Sequence, residues 1–473
     1  MEKKSDIAVI GLGVMGENIA QNFERNGYRV TVFDRHPEKT AHFMEKLGNG
    51  KNFHAAFTPA QILENLDRPR KIFLMVSAGD PVDEVIDTLV PITDYGDIII
   101  DGGNSYYKDS ERRCSQLLEK GRVFIGCGVS GGAEGALRGP SLMPGGMKEG
   151  WPPLKEMFEK IAAKAPDGSP CCKWVGPGGS GHFVKMVHNG IEYGEIQLIS
   201  ETYFLLKMLF GYTNEKMADI FKAWNEGPLS GYLISITSEI LKFKEGDGKF
   251  LIDKILDVAS QKGTGGWSVQ ASIELESSIS VIAESVYQRY ISSCKDLRVD
   301  LSYTYPRENI ILKHEKNHIN ELEKALYASK LICYTQGFAL LQKASDHYQW
   351  NLKLAEIASI WRAGCIIRSV FLENIINAYE KDIHLKSLLD DLFFITELKE
   401  AETSWKRIAE LSMQHEIAVP AHTSALNYFY SITTDNLPAN LIQAQRDYFG
   451  SHMFERNDTS RGQFFHNDWK SNK

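Results

Sequence analysis

The sequence lacks the features of a membrane-spanning or secreted protein. No apolar run is long enough to cross a bilayer. The opening residues, MEKKSDIAVIGLG, lack a signal-peptide pattern, because their apolar segment leads into glycines and not into a small-residue cleavage site. The seven cysteines are scattered, with the spacing of neither a disulfide framework nor a zinc site. These absences predict a cytoplasmic protein with reduced thiols, no bound metal and no membrane partner.

An excess of positive charge is also absent. The chain has 53 Lys and Arg against 61 Asp and Glu, a formal net charge of -8. This balance argues against non-specific binding to nucleic acid, so an anionic substrate would have to meet a local basic cluster. The length of 473 residues predicts two or more domains. A content of 43% hydrophobic and 24% charged residues is typical of a globular protein.

The first part of the chain alternates between apolar strands and helical stretches. The strand segments are DIAVIGL, YRVTVFD, RKIFLMVS, GDIIIDGG and RVFIGCGV. Such alternation predicts an α/β Rossmann domain with a parallel, doubly wound sheet that binds ligands at the carboxyl ends of its strands. The pattern stops at VGPGGSG, which places this predicted dinucleotide-binding domain at residues 1–178.

The rest of the chain is almost entirely helical in pattern and contains a repeat. MADIFKAWNEG (217–227) and LAEIASIWRAG (354–364) share Ala, Ile, Trp and Gly in register. A matched Trp and Gly favours duplication over chance similarity of two helices, and predicts an all-α domain over 179–434. Residues 435–473 are polar, aromatic and aperiodic. This tail is either disordered or an arm packed against something else.

The glycine motif GLGVMG follows the first predicted strand and opens a helix, which is the context of a dinucleotide site. Gly11 permits the tight turn, Gly13 lets a pyrophosphate approach, and Gly16 lets helix and strand pack closely. The helix N-terminus adds amide donors and a partial positive charge. The predicted cofactor-binding residues of the loop are Gly11, Leu12, Gly13, Val14, Met15 and Gly16.

The second predicted strand ends in Asp34, Arg35 and His36, which give two signals about the cofactor. An acidic residue here accepts the ribose hydroxyls and favours NAD, whereas a neighbouring arginine favours the phosphate of NADP. Asp34 would repel a 2′-phosphate unless Arg35, with His36, compensates. Both cofactors therefore stay open at this point.

A polar stripe lies where a helix over GHFVKMVHNGIEYGEI would normally carry apolar residues. The residues at offsets 0, 3, 4, 7 and 8 are Lys185, His188, Asn189, Glu192 and Tyr193. A solvated surface is the first interpretation of such a stripe. However, the helix lacks surface Lys/Glu pairs, and Gly190 and Gly194 each cost about 1 kcal/mol relative to Ala. Such glycines let another backbone or a ligand approach, so the stripe predicts the wall of a cleft.

Three long segments resemble the decarboxylating 6-phosphogluconate dehydrogenase family: IIIDGGNSYYKDSERR (98–113), GCGVSGGAEGALRGPSLMPGG (126–146) and VKMVHNGIEYGEIQLISE (184–201). QKGTGGW (261–267) and RDYFGSH (446–452) extend the resemblance to the end of the chain. It implies a Rossmann domain, a duplicated helical domain, and a tail that threads through the second subunit of a homodimer.

The activity that the resemblance implies is oxidative decarboxylation of 6-phosphogluconate, in the pentose phosphate pathway and gluconate utilization. NADP takes a hydride from C3, the 3-keto acid loses CO₂, and the enediol is protonated to ribulose 5-phosphate, without a metal. Lys185 is the implied general base and Glu192 the implied acid. This assignment is physically sound, because one cleft can lower the pKa of a lysine and raise that of a glutamate.

The resemblance also implies the substrate-binding residues. They are Asn104, Ser130, Gly131, Gly132, His188, Asn189, Tyr193, Lys262 and Arg289, with Arg446 and His452 from the partner subunit. Lys262, Arg289 and Arg446 are the implied phosphate ligands, since ammonium and guanidinium groups suit a phosphate dianion. The small residues of the Ser130–Gly132 segment would leave backbone amides accessible to a carboxylate.

Two departures from the family concern the cofactor. The family's Asn-Arg-Ser/Thr is Asp34-Arg35-His36 here, and its Val-Lys-Ala is Val76-Ser77-Ala78. The remaining cofactor-binding residues that the resemblance implies are Val76, Ser77, Ala78 and Asn104. NADP is the expected cofactor, and NAD or dual use is the alternative because of Asp34 and Ser77.

Two other functions compete with this interpretation. A 3-hydroxyisobutyrate-type dehydrogenase shares the Rossmann start and the lysine, but lacks the long duplicated helical half. A nucleotide sensor without catalytic activity would predict loss of the acid–base pair, whereas Lys185 and Glu192 are both present.

Overall fold

The computed structural model describes residues 3–261, 263–308, 311–312 and 316–470 of the chain. The chain forms two units, Met1–Ala425 and Leu426–Lys473. The larger unit contains both the predicted α/β region and most of the predicted helical region.

An eight-stranded sheet occupies the first part of the larger unit, counted over the described residues. Its strands are β1 (Ile7–Ile10), β2 (Val30–Phe33), β3 (Phe53–Ala55), β4 (Lys71–Leu74), β5 (Ile98–Asp101), β6 (Val123–Ser130), β7 (Ser141–Gly146) and β8 (Gly176–Pro177). Their spatial order is β3-β2-β1-β4-β5-β6-β7-β8. The strands from β3 to β6 in that order all run parallel. This is the strand order of a Rossmann domain, as predicted.

The end of the sheet beyond β6 differs from the prediction of a purely parallel sheet. β7 pairs antiparallel with β6, and β8 pairs parallel with β7. The segment SLMPGG of β7 contains a proline and two glycines, which are depleted in strands. Its strand conformation therefore depends on the partner β6, whose eight residues offer a long edge.

Helices cover both faces of this sheet. They are α1 (Val14–Arg25), α2 (Pro37–Phe43), α3 (Pro59–Glu64), α4 (Asp80–Leu89), α5 (Tyr107–Glu119), α6 (Gly132–Arg138) and α7 (Pro152–Ile161). Successive residues of β1 enter different cores: Ile7 and Val9 pack on one face, and Ala8 and Ile10 on the other. Because both faces are buried, the strands are continuous apolar runs without alternation.

The second part of the larger unit is helical. Its helices are α8 (Ser180–Met208), α9 (Asn214–Trp224), α10 (Tyr232–Lys242), α11 (Thr264–Glu274), α12 (Ser280–Ser293), α13 (Lys295–Thr304), α14 (Lys316–Tyr348), α15 (Leu354–Ile360), α16 (Leu372–Lys381), α17 (Leu392–Gln414) and α18 (Pro420–Ile432), which runs into the smaller unit. The repeat segments fall in equivalent places, in α9 after the long α8 and in α15 after the long α14. Trp224 and Trp361 are both buried. This equivalence supports the predicted duplication.

Helix α8 joins the sheet to the helical part. It contacts β6, β7 and α5 of the first part, and α11, α12 and α14 of the second. Val187 and Ile191 are fully buried, as expected for the apolar side. Lys185 and His188 on the polar side are buried as well. The stripe therefore belongs to the interior of the larger unit.

The smaller unit contains α19 (Ala439–Gly450) and a folded C-terminal segment. Asp447, fully buried, accepts hydrogen bonds from the backbone N–H of Met453 and Asn467, the ring of His466 and the indole N–H of Trp469. The described tail is thus an ordered segment and not a disordered one.

None of the helices in the described residues is long and apolar enough to cross a membrane.

Candidate active site

A cavity of about 1180 Å³ lies where the carboxyl ends of the strands meet α8. It is lined by the glycine loop, the loops after β4 and β5, the start of α6, and one face of α8. The predicted site residues that it brings together are Gly13, Val14, Met15, Gly16, Val76, Ser77, Ala78, Asn104, Ser130, Gly131, Gly132, Lys185, Asn189, Glu192, Tyr193 and Arg289. Residues predicted for the cofactor and for the substrate therefore share one space.

A smaller cavity of about 280 Å³ shares Gly13, Val76 and Ser77 with the larger one. Its walls also include Gly11, Asp34, Arg35, His36 and Lys39. This placement fits the adenosine end of a dinucleotide, because the turn after β2 is where its ribose binds in Rossmann domains.

Some predicted residues are not among those that line these cavities. Leu12 is buried in the turn, and His188 is buried behind Lys185. Lys262 lies outside the described residues. Arg446 and His452 belong to the smaller unit, where both are exposed and Arg446 donates to the Gln443 side chain.

The Lys185 side chain is buried in a passage alongside β6. A Cβ on Gly128 would lie 2.4 Å from the Cβ of Lys185, so glycine at position 128 allows α8 to approach β6 closely at Lys185. Burial lowers the pKa of Lys185, and the negative charge of Glu192 opposes that change. A lysine with a lowered pKa can accept a proton closer to neutral pH, which a general base requires.

His188 is held between the lysine and the strand end. Its Nε2 lies 3.2 Å from Ser130 Oγ, and its Nδ1 lies 3.5 Å from Lys185 Nζ. Burial and the neighbouring Lys185 charge keep the pKa of His188 well below its ordinary value. The same Nδ1 lies 3.3 Å from Asn189 Oδ1, so a neutral imidazole here contacts both Lys185 and Asn189 and helps to fix the position of the lysine.

Glu192 lies two turns after Lys185 on the same face of α8, with its side chain partly exposed to the cavity. Burial raises the pKa of Glu192, while the charges of Lys185 and Arg289 lower it by less. A glutamate with a raised pKa keeps a proton to donate nearer neutral pH. Arg289 stacks on Tyr193, with its Cζ 3.4 Å from the ring centroid.

The two glycines of α8 serve helix packing. A Cβ on Gly190 would lie 2.9 Å from Ser268 Oγ, and one on Gly194 would lie 2.4 Å from Cys333 Sγ. The prediction that these glycines admit another backbone or a ligand is therefore wrong, because side chains of α11 and α14 fill the space. The polar stripe nevertheless lines the large cavity through Lys185, Asn189, Glu192 and Tyr193, as predicted for the wall of a cleft.

The carboxylate of Asp34 forms hydrogen bonds with backbone groups of the same domain. Its Oδ2 accepts the backbone N–H of Leu12 at 2.9 Å, and its Oδ1 accepts that of His36 at 3.0 Å. The ammonium group of Lys39 lies 3.8 Å from the same carboxylate. Asp34 therefore braces the glycine loop, and Lys39 offsets part of its charge.

Several residues of the site were missed by the sequence analysis. Lys39 resembles any surface lysine in the first turn of a helix, and only its position after Asp34 could have identified it. Tyr106 and Trp267 line the large cavity and contact each other, with ring centroids 5.1 Å apart and the ring planes tilted by 42°. Both lie in segments that resemble the family, GGNSYYKD and QKGTGGW. Membership of these segments was the sequence signal that could have identified them.

The glycine loop fits a dinucleotide. Gly11 adopts a φ of +97°, and a Cβ on Gly16 would lie 1.8 Å from the Gly11 carbonyl oxygen. Gly13 has open space around it and provides no side-chain cap for α1. The first amides of α1 are thus available to a pyrophosphate.

Among the described residues, no group of three or more His, Cys, Asp or Glu side chains could hold a metal ion.

Comparison with known families agrees with this geometry over nearly the whole chain. Residues 6–176 match the NAD binding domain of 6-phosphogluconate dehydrogenase, and residues 181–469 match its C-terminal domain. The chain belongs to the 6-phosphogluconate dehydrogenase family. The second match includes the duplicated helical half, which decides against a 3-hydroxyisobutyrate-type dehydrogenase.

Individual members of the 6-phosphogluconate dehydrogenase family are similar over their full length. The human decarboxylating enzyme is 47% identical over 98% of this chain and 97% of its own, and the Lactococcus lactis (strain IL1403) enzyme is 47% identical over 98% and 99%. The solved Plasmodium falciparum 6-phosphogluconate dehydrogenase superposes with a TM-score of 0.95 at 42% identity, over 98% of this chain and 100% of that one. That protein was studied in its apo form, with NADP+ and with 6-phosphogluconate.

Proposed function

We propose that the protein oxidatively decarboxylates 6-phosphogluconate to ribulose 5-phosphate and CO₂, with NADP as the hydride acceptor. One observation carries this proposal: a lysine with a lowered pKa and a glutamate with a raised pKa face the same cavity as the glycine loop. Such a pair supplies a base and an acid beside a nicotinamide ring. A steady-state assay of NADPH and CO₂ formation tests this proposal. We expect the two products to form in equal amounts.

Binding of substrate uses the polar wall of the cavity. Arg289, stacked on Tyr193, presents a fixed guanidinium group to the phosphate. The segment Ser130–Gly132 and the amide of Asn189 present small donors to the carboxylate and hydroxyl groups. Since the chain has a net negative charge, these local donors have to supply the attraction.

Lys185 then removes the proton of the C3 hydroxyl group as hydride leaves C3. A nicotinamide dinucleotide held at the glycine loop would supply the hydride acceptor. His188, hydrogen-bonded to Ser130, holds the lysine in place. Once protonated, Lys185 donates a hydrogen bond to the new ketone oxygen, and stabilises the negative charge that develops there as CO₂ leaves. Glu192 finally donates its proton to C1 of the enediol.

NADP is the cofactor that Arg35 and Lys39 favour. Both line the smaller cavity together with His36, and Lys39 offsets part of the charge of Asp34. Asp34 and Ser77, the latter at a position where the resemblance implies a lysine, support the alternative of NAD or dual use.

Variants of the smaller cavity separate these two cofactors. We expect Asp34→Asn to raise the ratio of kcat/KM for NADP to that for NAD severalfold, because one negative charge is removed. Lys39→Met should lower the same ratio by about tenfold, equivalent to ~1.4 kcal/mol, because the cation is lost and Asp34 is left uncompensated. The measurement is kcat/KM with each cofactor at saturating substrate. Unchanged ratios in both variants would show that these charges do not select the cofactor.

The domain division that the proposal uses is 1–178 for the cofactor, 179–434 for substrate and dimerisation, and 435–473 for the tail. The first family match ends at residue 176 and the second begins at residue 181, which supports the first boundary.

We also propose a homodimer in which the tail of each subunit brings Arg446 and His452 to the cavity of the other subunit. Support comes from exposed apolar side chains on α19, namely Leu441, Ile442 and Phe449.

Shared sites can be detected by mixing inactive subunits. Co-expressed Arg446→Ala and Lys185→Met subunits should form heterodimers with one intact site, and recover about a quarter of wild-type activity at random pairing. Differently tagged subunits allow the heterodimer to be isolated and assayed. Lys185→Met with Glu192→Gln is the matched control, because both changes lie on the same subunit's share of the site. Recovery no greater than in this control would contradict the exchanged tail.

A further inference from the structure

Arg113 is one of the largest fully buried side chains in the described structure, yet it lies outside the cavity. It is on α5, and its guanidinium group contacts two loops that line the cavity. Nη2 donates to the carbonyl oxygen of Gly79 at 3.0 Å, after β4. Nη1 donates to Asp101 Oδ2 at 3.3 Å, at the end of β5. A buried charge with these partners needs an explanation beyond packing.

Asp101, which accepts from Arg113, also accepts hydrogen bonds from the loop that carries Asn104. Its Oδ1 accepts the backbone N–H of Gly103 at 3.0 Å, and its Oδ2 accepts the hydroxyl of Ser105 at 2.6 Å. Asn104 lies between these two anchored residues and faces the cavity. The conformation of this loop is therefore fixed by a carboxylate whose charge Arg113 balances.

Asp83 anchors the other end of the guanidinium group. Nε of Arg113 donates to Oδ1 of Asp83 and Nη2 to Oδ2, both at 2.9 Å, a bidentate pair. Hydrogen bonding by Arg113 lowers the pKa of Asp83 to about 2, against partial burial, so the pair is ionised at any working pH. Asp83 lies in the first turn of α4, directly after the Ser77–Gly79 loop.

The two loops are close-packed against each other. A Cβ on Gly103 would lie 3.1 Å from the carbonyl oxygen of Val76 and 3.2 Å from Asp101 Oδ1. Helix α5 also contacts α8, the helix that carries Lys185. Ser110 Oγ lies 2.6 Å from Nδ1 of His182, which is one turn before Lys185. Ser110 and Arg113 share a face of α5 at i and i+3. One face of α5 thus holds both loops and the start of α8.

We propose that Arg113 is a positioning residue that sets the separation of the Ser77–Gly79 and Gly102–Ser105 loops, and with it the alignment of cofactor and substrate. The inference rests on the proposed function for its kinetic part. A lysine cannot replace Arg113, because a single ammonium group cannot span Asp83, Gly79 and Asp101 together.

The test compares Arg113→Lys and Asp83→Asn with Arg112→Met. Arg112 is the matched control, because it donates to the same Asp83 oxygen at 2.9 Å but is half-exposed. We expect Arg113→Lys to lower kcat by about 100-fold per folded molecule, as a small misplacement does, with KM for both substrates changing much less. Asp83→Asn should change kcat in the same direction by less, and Arg112→Met should behave as wild type.

A second readout does not depend on turnover. Hydrogen–deuterium exchange of Arg113→Lys should rise in peptides covering 77–83 and 102–105, while the Kd for NADP measured by titration should change much less than kcat does. A role in stability alone would lower the melting temperature while kcat per folded molecule and local exchange stay at wild-type values, and that result would overturn the inference. Equal losses in Arg112→Met would overturn it too. An inactive wild type with the expected exchange pattern would instead refute the proposed function and leave the loop assignment standing.

Discussion

Replacing Lys185 with methionine is expected to lower kcat by about 10³-fold or more, while NADP and substrate still bind. The reason is that Lys185 supplies both the base for the C3 hydroxyl and the donor to the ketone oxygen, and a positioned acid–base group contributes up to about 10⁴-fold. Methionine keeps the length of the side chain in the passage beside Gly128. Stopped-flow measurement of NADPH formation, with cofactor titration in parallel, gives both quantities.

The matched control for this variant is Lys207→Met on the same helix. Lys207 lies near the end of α8 and pairs with Asp253 at the surface. It should retain wild-type turnover, which excludes a general effect of losing a lysine from α8. Turnover of Lys185→Met within a few-fold of wild type would refute the assignment of the base.

Replacing Glu192 with glutamine is expected to slow formation of ribulose 5-phosphate by about 100-fold or more, because the enediol loses its proton donor. A second effect of Glu192→Gln concerns the pH dependence of activity.

The negative charge of Glu192 opposes the burial that lowers the pKa of Lys185, so removing this charge lowers the pKa of Lys185 further. Activity requires the unprotonated base and rises as pH increases through this pKa. The acid limb of kcat/KM against pH should therefore move to lower pH.

Glu192→Asp is the comparison that isolates the carboxyl group. It keeps a proton donor on a shorter side chain, so it should recover part of the lost rate and keep the acid limb nearer its wild-type position. A wild-type rate in Glu192→Gln would remove Glu192 as the acid. An unmoved acid limb would show that Lys185 and Glu192 do not interact as their positions indicate.

Much of this molecule could be predicted from sequence because local patterns determine it. The apolar runs of β1, β2, β4, β5 and β6 are long enough to stand out, and the spacing along α8 brought Lys185 and Glu192 onto one face. The missed strands are those with weak patterns: β3 has three residues, β8 has two, and β7 contains proline and glycine. Their conformation depends on partners that are distant in sequence.

The site shows the same limit. Motifs pointed to the residues that we propose bind substrate, but not to those that act through a neighbour. Gly128 is needed because α8 approaches β6 closely at Lys185, and Asp34 accepts the amide of Leu12 22 residues earlier in the chain. Arg113 also gave no signal, because an Arg-Arg pair in a helix is ordinarily a solvated one. These roles come from tertiary contacts.

The hydrogen bonds of Asp447 make the last residues of the chain important without any contact to substrate. His466 and Trp469, 19 and 22 residues further along, hold the carboxylate next to Arg446. Proteolytic trimming before His466 would leave a buried carboxylate without three of its donors, counting the amide of Asn467. In the exchanged-tail arrangement proposed above, clipped molecules would present Arg446 poorly to the other subunit, so we expect preparations with ragged C-termini to lose activity before they lose stability.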